Sequence, residues 1–237
     1  MAKHFFAKIS DTIRCVLPAR FDVVRSHYNN AYAARMDRFA QSKKYEGELR
    51  KMVSGLLIDS RFTVLDLGCN TGQSMYRAHQ WTGCTVVGID QNRCAIEQAK
   101  LQFPDYRFDY YASDTLPFEN GSFDAVMLNH VIAHVAKPTE LMKEVFRVLK
   151  PSGRVGIITP NRYYKLSMLL VNLFNNYNPD RTILRYYTTS SLSKLFGDSG
   201  FQIEHLSYTG EFPGWLAFLQ SSIVRFRVFG IGSKMGR

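Results

Sequence analysis

Two short apolar runs, each ending in an acid, constrain this chain more than any other feature. Thr63–Leu67 is continuous with Gly68-Cys-Asn-Thr-Gly72, and Val86-Val-Gly-Ile-Asp90 follows. An apolar run of this length, without alternation, is the pattern of a strand buried on both faces of a parallel sheet. A glycine-bearing loop after the first strand, and an acid closing the second, is how an α/β fold presents a nucleotide-like ligand: strand, tight loop, helix, strand, carboxylate.

The spacing of the loop restricts the ligand. A dinucleotide fingerprint needs Gly-x-Gly-x-x-Gly; counted from Gly68, the second and third glycines are replaced by Asn70 and Gln73. A phosphate-binding loop ending in Gly-Lys-Ser/Thr is also absent, which excludes a nucleoside triphosphate held in that way. Gly68 and Gly72 still let backbone pass close to a ligand, and Asn70 tolerates positive φ better than most residues.

Strand and helix signals alternate beyond the loop. The pattern predicts a helix from 72 to 80, a strand over 85–89, a helix over 93–101 stopping before Pro104, and strands over 106–110 and 123–128. A helix over 139–149, a turn at Lys150-Pro-Ser-Gly153 and a strand over 154–159 follow. This order implies a doubly wound, mostly parallel sheet with right-handed crossovers. Residues 1–60 read as a helical cap, with one apolar face at Phe5, Ile9 and Ile13 and another at Leu49, Met52, Val53, Leu56 and Leu57. After Pro160 the expectation is a helical stretch over 165–173, a capped helix over 190–196 ended by Gly197 and Gly200, and a strand over 201–206. Residues 214–231 read as a helix, or as a strand in which Val224, Phe226 and Val228 alternate with arginines; the helix is favoured. Gly230–Arg237 is short and polar, so a closing strand near the chain end is either missing or displaced into Ile223–Phe229. The chain therefore divides into a cap (1–60), a ligand-binding core (61–160) and a third part (161–237) within one domain.

Charge separates core from flanks. The net charge of +10 is split equally between 1–60 and 161–237, whereas 61–160 is neutral. Basic flanks suit either a solvated surface or peripheral contact with an anionic membrane. The four cysteines have no Cys-x-x-Cys or metal-finger spacing, so free thiols in a reducing compartment are expected. Charge interrupts the N-terminus before a signal-peptide core can form, and no stretch approaches the ~18 uninterrupted apolar residues of a spanning helix. A cytoplasmic protein is expected.

Four ordered segments, VLDLGCNTG (64–72), GIDQN (88–92), ASDTLPFENGSFDAVMLNHVIAHV (112–135) and LKPSGRVGIITPN (149–161), resemble the class I S-adenosylmethionine-dependent methyltransferases. The likeness is to their small-molecule branch, which includes the quinone methylases. It implies a Rossmann-like methyltransferase fold with N-terminal helices and a helical insertion after strand five, and S-adenosyl-L-methionine as cofactor. By the same resemblance, Asp66 faces the donor's ammonium group, while Gly68, Cys69, Asn70 and Gly72 border its sugar and amino-acid part. Asp90 accepts the ribose hydroxyls and Gln91 borders the adenine. Ser113, Asp114 and Thr115 follow strand three, with Asp114 accepting from the adenine amino group, and Asn129 closes the site. Asp114 read as a plain turn former before Pro117 is the competing view.

Methyl transfer requires alignment of acceptor, methyl and sulfur, and removal of a proton from a hydroxyl or amine. His130 and His134 are the candidate bases; they stand at i and i+4 if a helix begins there. His130 and Ala133 occupy positions where quinone-methylase relatives often carry Glu, which argues against their metal-linked chemistry. With no third ligand in the neighbouring sequence, no metal is expected. The insertion over 161–187 carries Tyr163, Tyr164, Tyr177, Tyr186 and Tyr187 with Arg162, Arg181 and Arg185, a composition that suits an aromatic or lipid-like small-molecule acceptor with acidic or hydroxyl groups. A nucleic-acid partner is disfavoured, because Asn129-His-Val-Ile132 lacks the Asn/Asp-Pro-Pro-Tyr/Phe turn of enzymes that methylate base amino groups, and every cysteine lies at or before Cys94, whereas cytosine C5 methylation needs one near strand four or six. A methyltransferase fold that binds a ligand or partner without catalysis is the alternative reading.

Overall fold

The computed structural model describes Ala33, Ala34, Asp37, Arg38 and residues 40–161, 182–209 and 227–235. The helix expected around Phe5–Ile13, the helical stretch over 165–173 and residues 214–226 lie outside them.

The strand signals read above become β1 (Thr63–Leu67), β2 (Thr85–Asp90), β3 (Arg107–Tyr110), β4 (Phe123–Asn129) and β5 (Leu149–Pro160). With β6 (Gln202–Thr209) and β7 (Arg227–Ser233) they form one seven-stranded sheet in the order β3-β2-β1-β4-β5-β7-β6. The first five pair in parallel, and β7 runs antiparallel to both neighbours. The helices are α1 (Lys43–Gly55), α2 (Gln73–Thr82), α3 (Arg93–Gln102), α4 (Pro138–Val148) and α5 (Thr189–Asp198).

The period-2 geometry of the strands separates two cores. Val64 and Ile158 face a cluster with Leu49, Met52 and Leu56 of α1 and Met75 of α2, whereas Leu65 and Ile157 face Met142 and Val145 of α4 and Phe196 of α5. Helices therefore cover both faces, which is why the central strands read as continuous apolar runs. Burial of each large side chain such as Phe196 stabilises the fold by about 1.5–3 kcal/mol. The helix ends follow local chemistry. Ser42 accepts from the Tyr45 amide at the start of α1, Asn92 from Ala95 at α3, and Thr188 with Ser191 forms a reciprocal capping box at α5.

Several expectations are corrected. The helix favoured over 214–231 is not continuous, because Arg227–Ser233 is β7. The closing strand thus exists and includes the glycine-rich stretch that carried no strand signal. Phe229 and Ile231 pack on one face, while on the other Gly230 and Gly232 leave room for the Phe196 ring. The Lys150–Gly153 turn lies within β5 as an irregularity: Phe123 pairs with Leu149 and Ala125 with Arg154, and Ser152 takes a positive φ of 64°. Gly197 lies inside α5, and the left-handed residue that ends the turn is Gly200. Leu57, counted in the apolar face of α1, lies past its end at a φ of 55° and is exposed.

A methyl group at Gly230 would come within 2.8 Å of Phe196 Cε2 and 2.9 Å of Leu206 Cδ2. Gly230→Ala is therefore expected to cost about 1–3 kcal/mol by overpacking. Thermal unfolding should show a fall in Tm of about 2–4 °C for each kcal/mol in a chain of this size. An unchanged Tm would contradict the packing of α5 on β7.

Candidate functional site

The site is built at the carboxyl edge of β1, β2 and β4. At the end of β1 the chain turns at Gly68 with a φ of 82°, and the Gly68 and Cys69 amides donate to the Ile89 carbonyl, at 2.8 and 3.1 Å. Any side chain at Gly68 would strike Val131, since its Cβ would lie 2.3 Å from Cγ2. Asn70 adopts a φ of 48°, the left-handed conformation foreseen for it, and Gly72 caps α2 at 84° with Phe108 directly against it. The loop is thus clamped between the tip of β2 and the turn after β4.

Asp90 organises the opposite wall. Its Oδ2 accepts from the Asn70 amide at 2.9 Å and its Oδ1 from the Asn92 amide at 2.7 Å. Burial raises its carboxyl above the usual range, while those two amides and that of Gln91 pull it back down. Each oxygen retains a lone pair for a further donor. Asp66, 1% exposed, lies within the same edge and its Oδ2 has no hydrogen-bond partner. Burial first, and then the charge of Asp90, push its carboxyl up to about 7. Cys69 is buried beside both acids, and burial followed by their charges raises its thiol well above the ordinary value. Cys69, Cys84 and Cys94 are all free thiols, the first two buried and the third half-buried.

The third wall is α1, which the sequence reading treated only as an apolar cap. The Tyr45 hydroxyl is hydrogen-bonded to Ser74 Oγ and close to the charge of Asp66. Burial, then Asp66, drives its phenol pKa upward. Both amide atoms of Asn129 are buried without a partner in hydrogen-bonding geometry, although the Tyr45 phenol is a near neighbour. From the same helix, Glu48 forms an ion pair with Arg227 of β7, and its Oε2 lies 3.4 Å from His130 Nε2. Asp37 accepts from the Thr71 hydroxyl at 2.7 Å, bracing the loop from outside.

The two histidines do not share a helix. His130 has a φ of 61° and donates its amide to the Ile158 carbonyl, whereas His134 ends a short 3₁₀ turn, Ile132–His134. His134 Nδ1 is bonded to the Thr182 hydroxyl at 2.8 Å, and the Leu184 and Arg185 amides donate to the Ala133 carbonyl. The carboxylate absent from the neighbouring sequence is supplied beside His130 by Glu48, 82 residues away. Among the described residues no group of three metal-ligating side chains comes together.

The remaining predicted residues lie farther out. Gln91, Ser113, Asp114 and Thr115 are exposed, and Asp114, with a side chain 87% exposed, pairs with Lys137 at 3.7 Å. The loop that bears it is tied to the site by the Tyr111 amide, which donates to the Asp90 carbonyl at 3.0 Å. Tyr45, Glu48, Arg227 and Asp37 were missed by the sequence reading. The only available signal for them was polar residues interrupting an amphipathic helix and a strand. Of the insertion tyrosines, Tyr187 is buried, which pushes its phenol up to about 12, and Tyr186 is half-buried. Tyr163, Tyr164 and Tyr177 lie outside the described residues, as does Cys15. No helix among the described residues is long and apolar enough to cross a membrane.

Comparison with known proteins agrees with this geometry. A family model described as a methyltransferase domain matches residues 24–206. The demethylmenaquinone methyltransferase of Lactococcus lactis is 31% identical over 145 residues, covering 58% of this chain and 56% of that protein. The sterol 24-C-methyltransferase of Clavispora lusitaniae is 29% identical over 137 residues, covering 55% and 36%. The chain thus spans between a third and just over half the length of these curated relatives. Among solved structures, a putative methyltransferase in complex with the Haloferax volcanii Trm112 activator superimposes with a TM-score of 0.70 at 18% identity, over 88% of this chain and 96% of that one. Geranyl diphosphate methyltransferase, solved with GPP and sinefungin, gives 0.62 at 17% identity, over 80% and 78%. At such identities these two report the fold alone. The sheet order, the buried unpartnered acid at Asp66 and the strand-tip acid at Asp90 fit S-adenosylmethionine, a cationic adenosine without phosphates, as the cofactor. With the family model matching well over half of its length, this chain belongs to the class I S-adenosylmethionine-dependent methyltransferases.

Proposed function

We propose that the protein transfers a methyl group to a hydroxyl, amine or carbon of a small acceptor that is aromatic or lipid-like. The observation that carries this reading is the buried Asp66 carboxyl, whose Oδ2 has no partner, at the end of β1 beside β4. Buried polar groups without partners are costly, and a ligand bearing an ammonium and hydroxyls would satisfy them. Relatives named for a demethylmenaquinone and for a sterol support a flat or lipid-like acceptor.

When bound, S-adenosylmethionine supplies an electrophilic methyl carbon, and its sulfur keeps the electron pair of the bond that breaks. The rest falls to this chain's residues. Asp66 would hold the ammonium, and Asp90, already fixed by two backbone amides, would accept the ribose hydroxyls. Asn129 would close the edge against the donor, with Tyr45 behind it. His130 follows Asn129 directly and is the better placed base for an acceptor proton, because His134 is bonded to Thr182 and braces the segment after β5. Gln91, Asp114 and its neighbours would border the adenine from the rim.

The reading is tested by incubating the protein with S-adenosylmethionine and a panel of hydroxylated quinones, phenols and sterols. Mass spectrometry should show S-adenosylhomocysteine in step with an acceptor heavier by one methyl group. A donor that binds without turnover on any acceptor class would favour a non-catalytic binding protein. Removing the Asp90 carboxylate deletes two charge-assisted hydrogen bonds to the ribose, each worth about 1.5–3 kcal/mol. Asp90→Ala should therefore weaken donor binding by at least about 100-fold in calorimetric titration, and unchanged affinity would remove Asp90 from the site.

Donor affinity should also depend on pH through Asp66. Its carboxyl is raised to about 7, so it is largely protonated below that value and offers little attraction to an ammonium. Affinity is expected to rise as pH passes through about 7 and to fall again above about 8, where an α-amino group loses its proton. Asp66→Asn should abolish the rising limb and flatten the fall, because both depend on the carboxylate–ammonium pair. A rising limb that persists in the variant would assign it to another group.

A further inference from the structure

The loop between β3 and β4, which carries Ser113, Asp114 and Thr115, lies along α4 from its start to its last turn. Asp114 pairs with Lys137, just before the helix, at 3.7 Å, and the Leu116 amide donates to Glu144 Oε2 at 2.9 Å. In the last turn Arg147 takes over. Its Nε and Nη2 donate to the two oxygens of Glu144 at 2.9 and 2.8 Å. Nη2 also donates to the Leu116 carbonyl at 3.0 Å, and Nη1 to the Phe118 carbonyl at 2.7 Å and to Asn120 Oδ1 at 3.0 Å. The Gly121 amide returns a bond to the Arg147 carbonyl at 3.1 Å. A guanidinium has five N–H groups in a fixed fork, and each of them meets an acceptor here. The Arg147 hydrogen bonds hold the Glu144 carboxyl below the usual range, against its partial burial and with help from the Leu116 amide. Both members of the pair are therefore charged at neutral pH.

We propose that Arg147, with Glu144, is a positioning residue for the adenine of the donor: it fixes residues 116–120 on α4 and so sets where Asp114 meets the base. The inference rests on the reading of Asp114 as an adenine contact and extends it to a helix residue that touches no ligand. Residues 112–115 are exposed and hang between two anchors. One is the Tyr111 amide on the Asp90 carbonyl at 3.0 Å; the other is Leu116, 2% exposed. A bridge this short has little freedom, so the point at which Leu116 is held decides where Asp114 stands. Packing of Leu116 in the same core as Met142 and Val145 already brings the loop down onto α4. The fork adds direction, because it engages the carbonyls of 116 and 118 and the side chain of 120 together. The Asp114 carboxyl, 87% exposed beside Lys137, stays open to a further donor such as the adenine amino group.

The test uses the full chain and needs no acceptor. Calorimetric titration compares S-adenosylhomocysteine with its inosine analogue, in which a carbonyl oxygen replaces the adenine amino group. The parent should prefer the adenosine compound by about tenfold or more, the worth of one good hydrogen bond, and Asp114→Ala should remove that preference. Arg147→Lys keeps the charge but loses the fork. It should narrow the preference to below about threefold, mainly by weakening the adenosine compound, and should change affinity by less than about twofold when Asp114 is already Ala. If Arg147→Lys does not fold, judged by circular dichroism, Glu144→Gln is read instead and should narrow the preference in the same sense. A variant that weakens both compounds alike, or keeps the full preference, makes Arg147 a tie of loop to helix and overturns its role. A parent that binds both compounds equally, or an Asp114→Ala variant that still discriminates, overturns the inference at Asp114 while leaving the donor site in place. Failure of the parent to bind S-adenosylhomocysteine at all overturns the methyl-transfer reading itself.

Discussion

The contact between Gly68 and Val131 sets the geometry of everything at the carboxyl edge. The loop after β1 can lie this close to the turn after β4 only because the residue has no side chain and a φ of 82°. That approach brings the two strand ends, and hence Asp66 and Asn129, to the same edge with no space for a side chain between them. On its other flank the loop is fastened by amides donated to the Ile89 carbonyl and to the Asp90 carboxylate. A larger residue at Gly68 would part β4 from the loop and dissolve the site while leaving much of the sheet intact.

This clamp has an electrostatic consequence. Asp66 lies close enough to Asp90 to feel its charge, and the causes that shift Asp66, burial and the Asp90 charge, both raise it. Among the described residues no cation acts to lower it. Asp90 differs because three backbone amides offset its burial. The two acids therefore stand apart in character. In Asp90 three backbone amides partly offset the burial and leave lone pairs for neutral hydroxyl donors, whereas Asp66 lacks that support and gains most from a cation. A ligand with a ribose at one end and an ammonium at the other matches that division.

Most of the core was legible because its residues answer to local rules. Parallel central strands have to be apolar on both faces, a tight loop needs residues that accept positive φ, and capped helices announce themselves through Ser42, Asn92 and Thr188. β7 was illegible for an equally physical reason. Its alternate positions, Gly230 and Gly232, are small so that Phe196 of α5 can pack on the sheet, and glycine contributes neither apolar periodicity nor strand propensity. Whether a helix begins at the histidine pair could not be read, because nothing local announces the left-handed residue at His130. Glu48 and Arg227 could not be connected to the site at all, since what joins them is tertiary and they stand 179 positions apart in the chain.

The topology explains why those two residues nevertheless arrive at the right edge. A helix that precedes a strand runs against it, so the first half of α1, with Tyr45 and Glu48, lies toward the carboxyl end of β1, and its last turn packs on Phe229 and Ile231. β7 is antiparallel to β5, with Arg227 opposite Pro160, so this strand enters the sheet at the edge where the parallel strands leave it. An acid in the first half of α1 and a base opening β7 are thus brought together by the direction of the two elements. Reversing β7 to parallel would carry Arg227 to the far edge and leave Glu48 buried without its counter-charge, a state that costs more than the pair itself is worth. The single antiparallel strand therefore does more than close the sheet: it delivers a cation to the edge at which β1, β2, β4 and the first half of α1 meet.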